Sequence, residues 1–407
     1  MGMITIPEHR PKEDETLVQS STYLIFSDDW GRHPSSCQHL TRFFLEKHRV
    51  LWVNTIGTRP PRLDWMTVRR GYEKITSWTR RGREQAEIPQ GPQPEILHPV
   101  MWPWFRTEID RRLNIWLLRH ELRKALARIS TPVIAITTLP IVADVMGVLP
   151  EIEKWIYYCV DDWSQWPGMD SQPLAEMEQK LVSRADLLIS AGTVLRERLR
   201  QMGRESLLLT HGVDWEFWHP SAETFSTIRR QVPQDAPSPI YTFWGLIDER
   251  LDLAFIRHLA REISTGSLIF AGPIISPEVA LELERIPHVR LLGKLPYADL
   301  PRLAHESDVL LMPYRDMEVT RQMQPLKMTE YLATGLPAVV RELPATLAWQ
   351  EALDVVSSAE QFAILAQERA ERGIPAGQQL ARKRLSEESW QKKAAIFEEF
   401  IQTGTIS

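Results

Sequence analysis

QMQPLKMTEYLATGLPAVV, residues Gln322 to Val340, decides how the chain is read. It opens as a loop containing Pro325. It continues as a short amphipathic helix with Leu326, Tyr331 and Leu332 among its apolar residues and Glu330 in its middle. Gly335 stops the helix, and a short apolar strand, Ala338 to Val340, follows. Such a helix start leaves backbone N–H groups without helical acceptors, where an anion can bind. Glu330 lies about a turn further on. The segment therefore offers donors for phosphate at one end and a carboxylate acceptor for hydroxyls close by.

Outward from this segment the same alternation recurs. Short, largely apolar runs without alternation lie at Tyr23–Phe26, Val50–Asn54, Val133–Thr137, Ile156–Val160, Leu187–Ser190 and Leu207–Thr210. A second series lies at Tyr241–Gly245, Ser267–Gly272, Val289–Gly293, Val309–Tyr314 and Ala338–Val340, with Val355–Ser357 weaker. Runs of this kind fit strands buried on both faces. Helical patterns separate many of them, at Ile109–Ile129, Leu174–Arg184, Val194–Gln201, Leu253–Ile263 and Ala298–Ala304. Alternating strands and helices predict an α/β chain with parallel sheets. Two series predict two doubly wound domains, 1–218 and 219–384. In the tail, 385–407, residues Trp390, Ala394, Phe397 and Ile401 fall on one helical stripe. That stripe predicts a helix over Leu385–Ile401 that crosses back to the first domain.

A length of 407 residues suits two cores. Hydrophobic content of 43% and charged content of 25% are those of a globular chain. A net charge of −5 argues against general nucleic-acid binding. Cys37 and Cys159 give neither a disulfide framework nor a metal cluster, so a cytoplasmic setting is expected. The polar N-terminus is not a signal peptide, and no apolar run approaches the about 18 residues of a membrane span. Residues 59–128 concentrate Arg and Lys with interleaved tryptophans. They read either as a contact for an anionic membrane surface or as a solvated helix face with core tryptophans.

Four stretches resemble retaining glycosyltransferases of the GT-B fold, in the broad group called glycosyltransferase family 4. They are Ser190–Leu199 with HGVDWEFWHP (His211–Pro220), FWGLIDERLDLAFI (Phe243–Ile256), Phe270–Tyr314, and PLKMTEYLATGLPAVV (Pro325–Val340). YYCVDDWSQWPG (Tyr157–Gly168) is similar to a subgroup that builds bacterial cell-surface polysaccharides. The resemblance implies two Rossmann-like domains facing a cleft. It implies transfer of a sugar, with retention, from a nucleotide-diphosphate sugar, UDP-linked, to a saccharide or lipid-linked acceptor. It implies neither a cofactor nor a metal.

Carried onto this sequence, the resemblance makes Glu330 the acceptor for ribose hydroxyls. Gly293, Lys294 and Leu295 would meet the base through backbone groups. Arg250, near the family's Lys position, would hold the diphosphate; Lys327, at the helix start with Pro325 and Leu326, is a candidate second cation, and Gln324 a second candidate for the place of the first glutamate. Gly31 and His33, in the loop after the first strand, would approach diphosphate and acceptor. Asp161 would stand where relatives carry a His facing the sugar. Three positions depart from the pattern: His211 replaces an Asn, Leu246 an Arg, and Gln322 the first of two glutamates. A neutral Gln322 can still bond sugar hydroxyls. A non-catalytic relative that binds a nucleotide sugar or a partner protein, and a sugar-nucleotide epimerase on the same fold, are the alternatives.

Overall fold

The computed structural model describes residues 21–31, 34–54, 91–102, 104–166 and 169–404. Its strands form two sheets. The first has seven strands in the order β3-β2-β1-β4-β5-β6-β7. These are β1 Thr22–Ser27, β2 Arg49–Asn54, β3 Glu95–Leu97, β4 Val133–Thr137, β5 Ile152–Cys159, β6 Leu187–Ser190 and β7 Leu207–Leu208. The second has six in the order β10-β9-β8-β11-β12-β13. These are β8 Ile240–Trp244, β9 Ser267–Ala271, β10 Val289–Gly293, β11 Val309–Met312, β12 Ala338–Arg341 and β13 Asp354–Val356. Every recorded strand pair is parallel, with Thr22 opposite both Arg49 and Val133 in β1, and Tyr241 of β8 opposite Leu268 and Val309. Both sheets are doubly wound. In each, the order reverses beside the first strand, and a crevice opens there at the carboxyl ends of the strands.

The strands form because they can be buried on both faces. All six residues of β1 and all five of β8 are buried. Two apolar cores result. One is built on Phe26, Trp52, Ile156 and Leu188, and the other on Phe243, Phe270, Leu310 and Val339. Helix starts are fixed by side-chain caps. Ser35 accepts from Gln38 N, Asp252 from Ala254 N, and Thr107 with Asp110 forms a reciprocal capping box.

Some elements differ from the sequence reading. β3 was not foreseen: it is a three-residue edge strand with two exposed residues and lacks a long apolar run. β7 stops at Leu208 rather than Thr210. The C-terminal helix begins at Trp390 rather than Leu385, because residues 382–387 form a 3-10 turn and the Ser389 hydroxyl caps the helix by accepting from Lys392 N.

Helix Trp390–Thr403 places Trp390, Ala394, Phe397, Phe400 and Ile401 in the first core. The chain thus runs between the two cores twice. The outgoing and returning segments touch: Val213 pairs with Ser389 in a parallel bridge, and Val213 N donates to Glu388 O at 2.7 Å. Gly212 leaves room for this crossing, since an added Cβ would lie 2.8 Å from the Trp390 ring.

Candidate active site

The loop after β8 carries the first cationic group. Gly245, at φ 141°, lets the chain turn directly against Lys327; a Cβ there would sit 1.9 Å from Lys327 Nζ. The loop is laced to its neighbours through the backbone. Ile247 N donates to Pro273 O at 3.0 Å, and Arg315 N donates to Arg250 O at 2.7 Å. Arg250 is 5% exposed. Its Nε and Nη2 bond the Asp248 carboxylate at 3.0 and 2.7 Å, and its Nη1 faces the Met323 sulfur at 3.7 Å. Trp166 lies over the guanidinium at 4.7 Å and Tyr314 at 5.7 Å. Burial works against the Arg250 charge, but Tyr314 and Asp248 favour it, and the net shift is upward.

The second cationic group is Lys327 in helix Leu326–Ala333. Its ammonium donates to Tyr314 Oη at 2.7 Å and sits 4.1 Å from the centre of the Phe243 ring. Burial pushes its pKa down, and Tyr314 pulls it back up. Pro325 occupies the cap position of this helix. The first-turn N–H groups of Leu326 and Lys327 therefore lack helical acceptors.

Glu330, about a turn further along, accepts from Trp244 Nε1 at 3.1 Å and from Tyr297 Oη at 2.9 Å. Burial raises its pKa, and those two donors oppose the rise. A carboxylate has about four acceptor positions, so two donors leave capacity for a vicinal diol. Aromatic rings surround the group. Tyr297 stacks on Phe217 at 4.6 Å, and Trp244 stacks on Trp218 at 5.4 Å.

Asp161, after β5, faces Arg250 from the first domain. Desolvation raises its pKa to about 7, Arg250 opposes the rise and Asp162 adds to it. The neighbouring Asp162 is turned inward instead. It accepts from Ser164 Oγ at 2.6 Å and pairs with Arg198 at 3.0 Å, and Arg198 also pairs with the buried Glu178 at 2.5 Å. This network fixes the turn that carries Asp161 and Trp166.

The structure thus gathers Arg250, Lys327, Pro325, Leu326, Glu330 and Asp161. Gly293, at φ 71°, accepts from Gly272 N at 2.7 Å; Lys294 is exposed, and Leu295 packs on the second core. Gly31 has φ 77°, which favours glycine, and its N–H donates to Gln38 Oε1 at 3.1 Å. His33 lies outside the described residues. Gln322 and Gln324 line a separate cavity with His211 and Gly192. Asp248, Tyr314, Trp166, Trp244 and Tyr297 were not singled out from sequence. Only Asp248 had a local signal, its place two residues before Arg250. No group of three or more His, Cys, Asp or Glu suited to a metal occurs among the described residues. Cys37 and Cys159 are free and buried.

Comparisons with known proteins agree with this architecture. Residues 249–367 match the family model "Glycosyl transferases group 1". The Bacillus subtilis (strain 168) protein TuaH, assigned by name to teichuronic acid biosynthesis as a glycosyltransferase, is 26% identical over 221 residues. That match covers 50% of this chain and 55% of TuaH, so the chain spans about half the length of the curated relative. Among solved structures, sucrose-phosphate synthase (tll1590) from Thermosynechococcus elongatus superposes with a TM-score of 0.68 at 14% identity, covering 94% of this chain and 98% of that one. Anabaena Alr3699/HepE in complex with UDP and glucose gives a TM-score of 0.68 at 14% identity, covering 94% and 100%. An UDP-forming trehalose-phosphate synthase from Burkholderia xenovorans gives 0.63 at 13% identity, covering 95% and 100%. Two parallel, doubly wound sheets and those neighbours identify the GT-B fold, and the stretch from before β9 to beyond β13 is similar to the group 1 glycosyltransferases.

Proposed function

We propose that the chain is a retaining glycosyltransferase. It would transfer a sugar from a UDP-linked donor to a saccharide or lipid-linked acceptor in cell-surface polysaccharide synthesis. The observation that carries the reading is one cluster: Arg250, Lys327 and the start of helix Leu326–Ala333 beside the Glu330 carboxylate. Two cations and free N–H groups suit a diphosphate, and a carboxylate with spare acceptor positions suits a ribose diol. TuaH's name and the UDP complexes of HepE support the polysaccharide and UDP assignments. Arg250 and Lys327 would stabilise the departing diphosphate, the task a metal performs elsewhere. Asp161 would bond a sugar or acceptor hydroxyl from the facing domain. The base would lie along Gly293, Lys294 and Leu295.

The test is donor turnover with a panel of UDP-sugars, with and without lipid-linked saccharide, in EDTA. Turnover that survives EDTA and yields product of unchanged anomeric configuration by NMR is the expected result. Loss of turnover in EDTA refutes metal independence, and nucleotide-sugar binding without any turnover favours the non-catalytic alternative.

We also propose that the first domain docks on an anionic membrane surface. No described helix is long and apolar enough to cross a membrane. Helix Glu108–Leu126 buries Asn114, Leu118, Leu122 and Leu126 and turns a second apolar stripe outward. Ile109, Leu113 and Trp116 are 79%, 38% and 63% exposed. Part of the basic charge near it is neutralised within the protein: Arg111 pairs with Asp144 at 2.7 Å and Arg112 with Glu108 at 2.7 Å. Apolar insertion therefore contributes more to this reading than the arginine count alone suggests. Residues 55–90 of the segment lie outside the described residues. Trp116→Glu is expected to reduce binding to phosphatidylglycerol vesicles at least several-fold without changing the melting temperature. Equal binding by wild type and variant, or equal binding to neutral vesicles, would refute the proposal.

A further inference from the structure

The turn after β5 brings a second side chain to the cation cluster, beside Asp161. Trp166 belongs to the first domain and to the Tyr157–Gly168 motif. Its ring lies 4.7 Å from the Arg250 guanidinium carbon. Its indole Nε1 is buried and has no hydrogen-bond partner among the described residues. The indoles closest to it in the site are satisfied: Trp163 Nε1 donates to Thr138 O at 2.8 Å, and Trp244 Nε1 to Glu330 at 3.1 Å. Buried donors are rarely left unmet, and each one costs stability until an acceptor meets it.

Arg250 carries the matching deficit. Its Nε and Nη2 are taken up by the Asp248 carboxylate. Its Nη1 has only the Met323 sulfur, at 3.7 Å, and a thioether is a weak acceptor. Two donors from two domains thus lie in one contact, and neither has an oxygen acceptor among the described residues. Tyr314 links this contact to Lys327: its hydroxyl accepts from the ammonium at 2.7 Å, and its ring lies 5.7 Å from the Arg250 guanidinium. The negative groups nearby are Asp248, which the Arg250 fork already engages, and Asp161. Unmet donors beside two cations suit an anionic oxygen, and charge-assisted bonds to phosphate are the strong ones. A phenylalanine ring would also sit over the guanidinium; the N–H is what tryptophan adds. The Asp162–Arg198–Glu178 pairs hold the turn in place, which reduces the entropy lost when the indole meets a ligand.

We infer that Trp166 is a donor-binding residue supplied by the first domain, its indole Nε1 and Arg250 Nη1 converging on one oxygen of the phosphate that bears the sugar. The inference rests on the glycosyltransferase reading for the identity of the anion. In that reading Glu330 and Gly293–Leu295 hold the nucleoside on the second domain. The nearer phosphate then lies on that side, and the farther one reaches Trp166. A diphosphate engages both domains, and a monophosphate engages one.

The test is NMR of the full chain labelled with ¹⁵N at the tryptophan indoles. The Trp166 signal is assigned by its loss in Trp166→Phe or, should that variant fail to fold, in Trp166→Tyr. UMP, UDP and inorganic pyrophosphate are titrated separately. The expected result is a saturable low-field shift of the Trp166 N–H proton with UDP and with pyrophosphate, and none with UMP. By calorimetry, Trp166→Phe is expected to weaken UDP binding about tenfold and to leave UMP binding and the melting temperature unchanged. No shift with any of the three ligands, an equal shift with UMP, or full UDP affinity in Trp166→Phe overturns the inference. So does a Trp166 signal that lies at low field without ligand and moves in Asp161→Asn, which assigns the N–H to that carboxylate. The two readings fail differently. UDP that binds without moving Trp166 removes this contact alone. Pyrophosphate that shifts Trp166 while neither UDP nor UDP-sugars bind keeps the contact and removes the UDP-sugar reading.

Discussion

Glu330 shows how much one side chain depends on its enclosure. In solution a glutamate at a helix middle is an ordinary solvated group. Here Trp244 and Tyr297 hold both of its oxygens, and burial raises its pKa. Replacement by Gln keeps the shape but removes the charge that a ribose diol would meet. Hydrogen bonds to charged groups contribute about 1.5–3 kcal/mol. Glu330→Gln is therefore expected to weaken UDP-sugar binding about tenfold to a hundredfold by calorimetry. Unchanged affinity would remove Glu330 from the donor site. Glu330 was legible from sequence because its spacing from Pro325 and Gly335 is local. Its partners were not, since Trp244 and Tyr297 reach it from 86 and 33 residues away. Gln322 is marked only by the resemblance, and in the structure it ends the helix Glu318–Gln322 and lines a cavity with His211 and Trp349.

Among elements, the helix Trp390–Thr403 carries the most structural consequence. Phe397 is fully buried and packs 5.5 Å from both Phe44 and Tyr158. Large-to-small changes at such sites cost about 3–5 kcal/mol, a large share of the about 5–15 kcal/mol that holds a domain together. Phe397→Ala is expected to lower the denaturant midpoint of the first domain markedly, followed through circular dichroism; an unmoved midpoint would mean the helix is not part of that core. The strands were the most legible elements, because Tyr23–Phe26, Ile156–Val160 and Val309–Met312 are uninterrupted apolar runs. β3 escaped because an edge strand of three residues, two of them exposed, leaves no run to see. The C-terminal helix was legible through its stripe, but its start was misplaced, since Ser389 caps by tertiary position rather than by any periodic signal.

At the scale of the whole molecule, the two domains meet where Asp161 and Trp166 face Arg250. The Asp161 pKa is raised from 3.8 to about 7 by burial in this contact. A carboxyl with a raised folded-state pKa binds its proton more tightly when folded. It therefore stabilises at low pH, and that contribution is lost as pH rises from about 4 to about 7. Asp161→Asn is expected to raise the melting temperature relative to wild type more at about pH 7.5 than at about pH 4.5. An equal difference at both would show that Asp161 is not buried against Arg250. The paired crossing at Val213 and Ser389 bears on synthesis as well. Domains of a nascent chain commonly close one after another, the first to emerge closing first. Here the first domain cannot do so, because Phe397, Phe400 and Ile401 complete its core. Its seven-stranded sheet keeps one flank uncovered until helix Trp390–Thr403 has been made and packs against it.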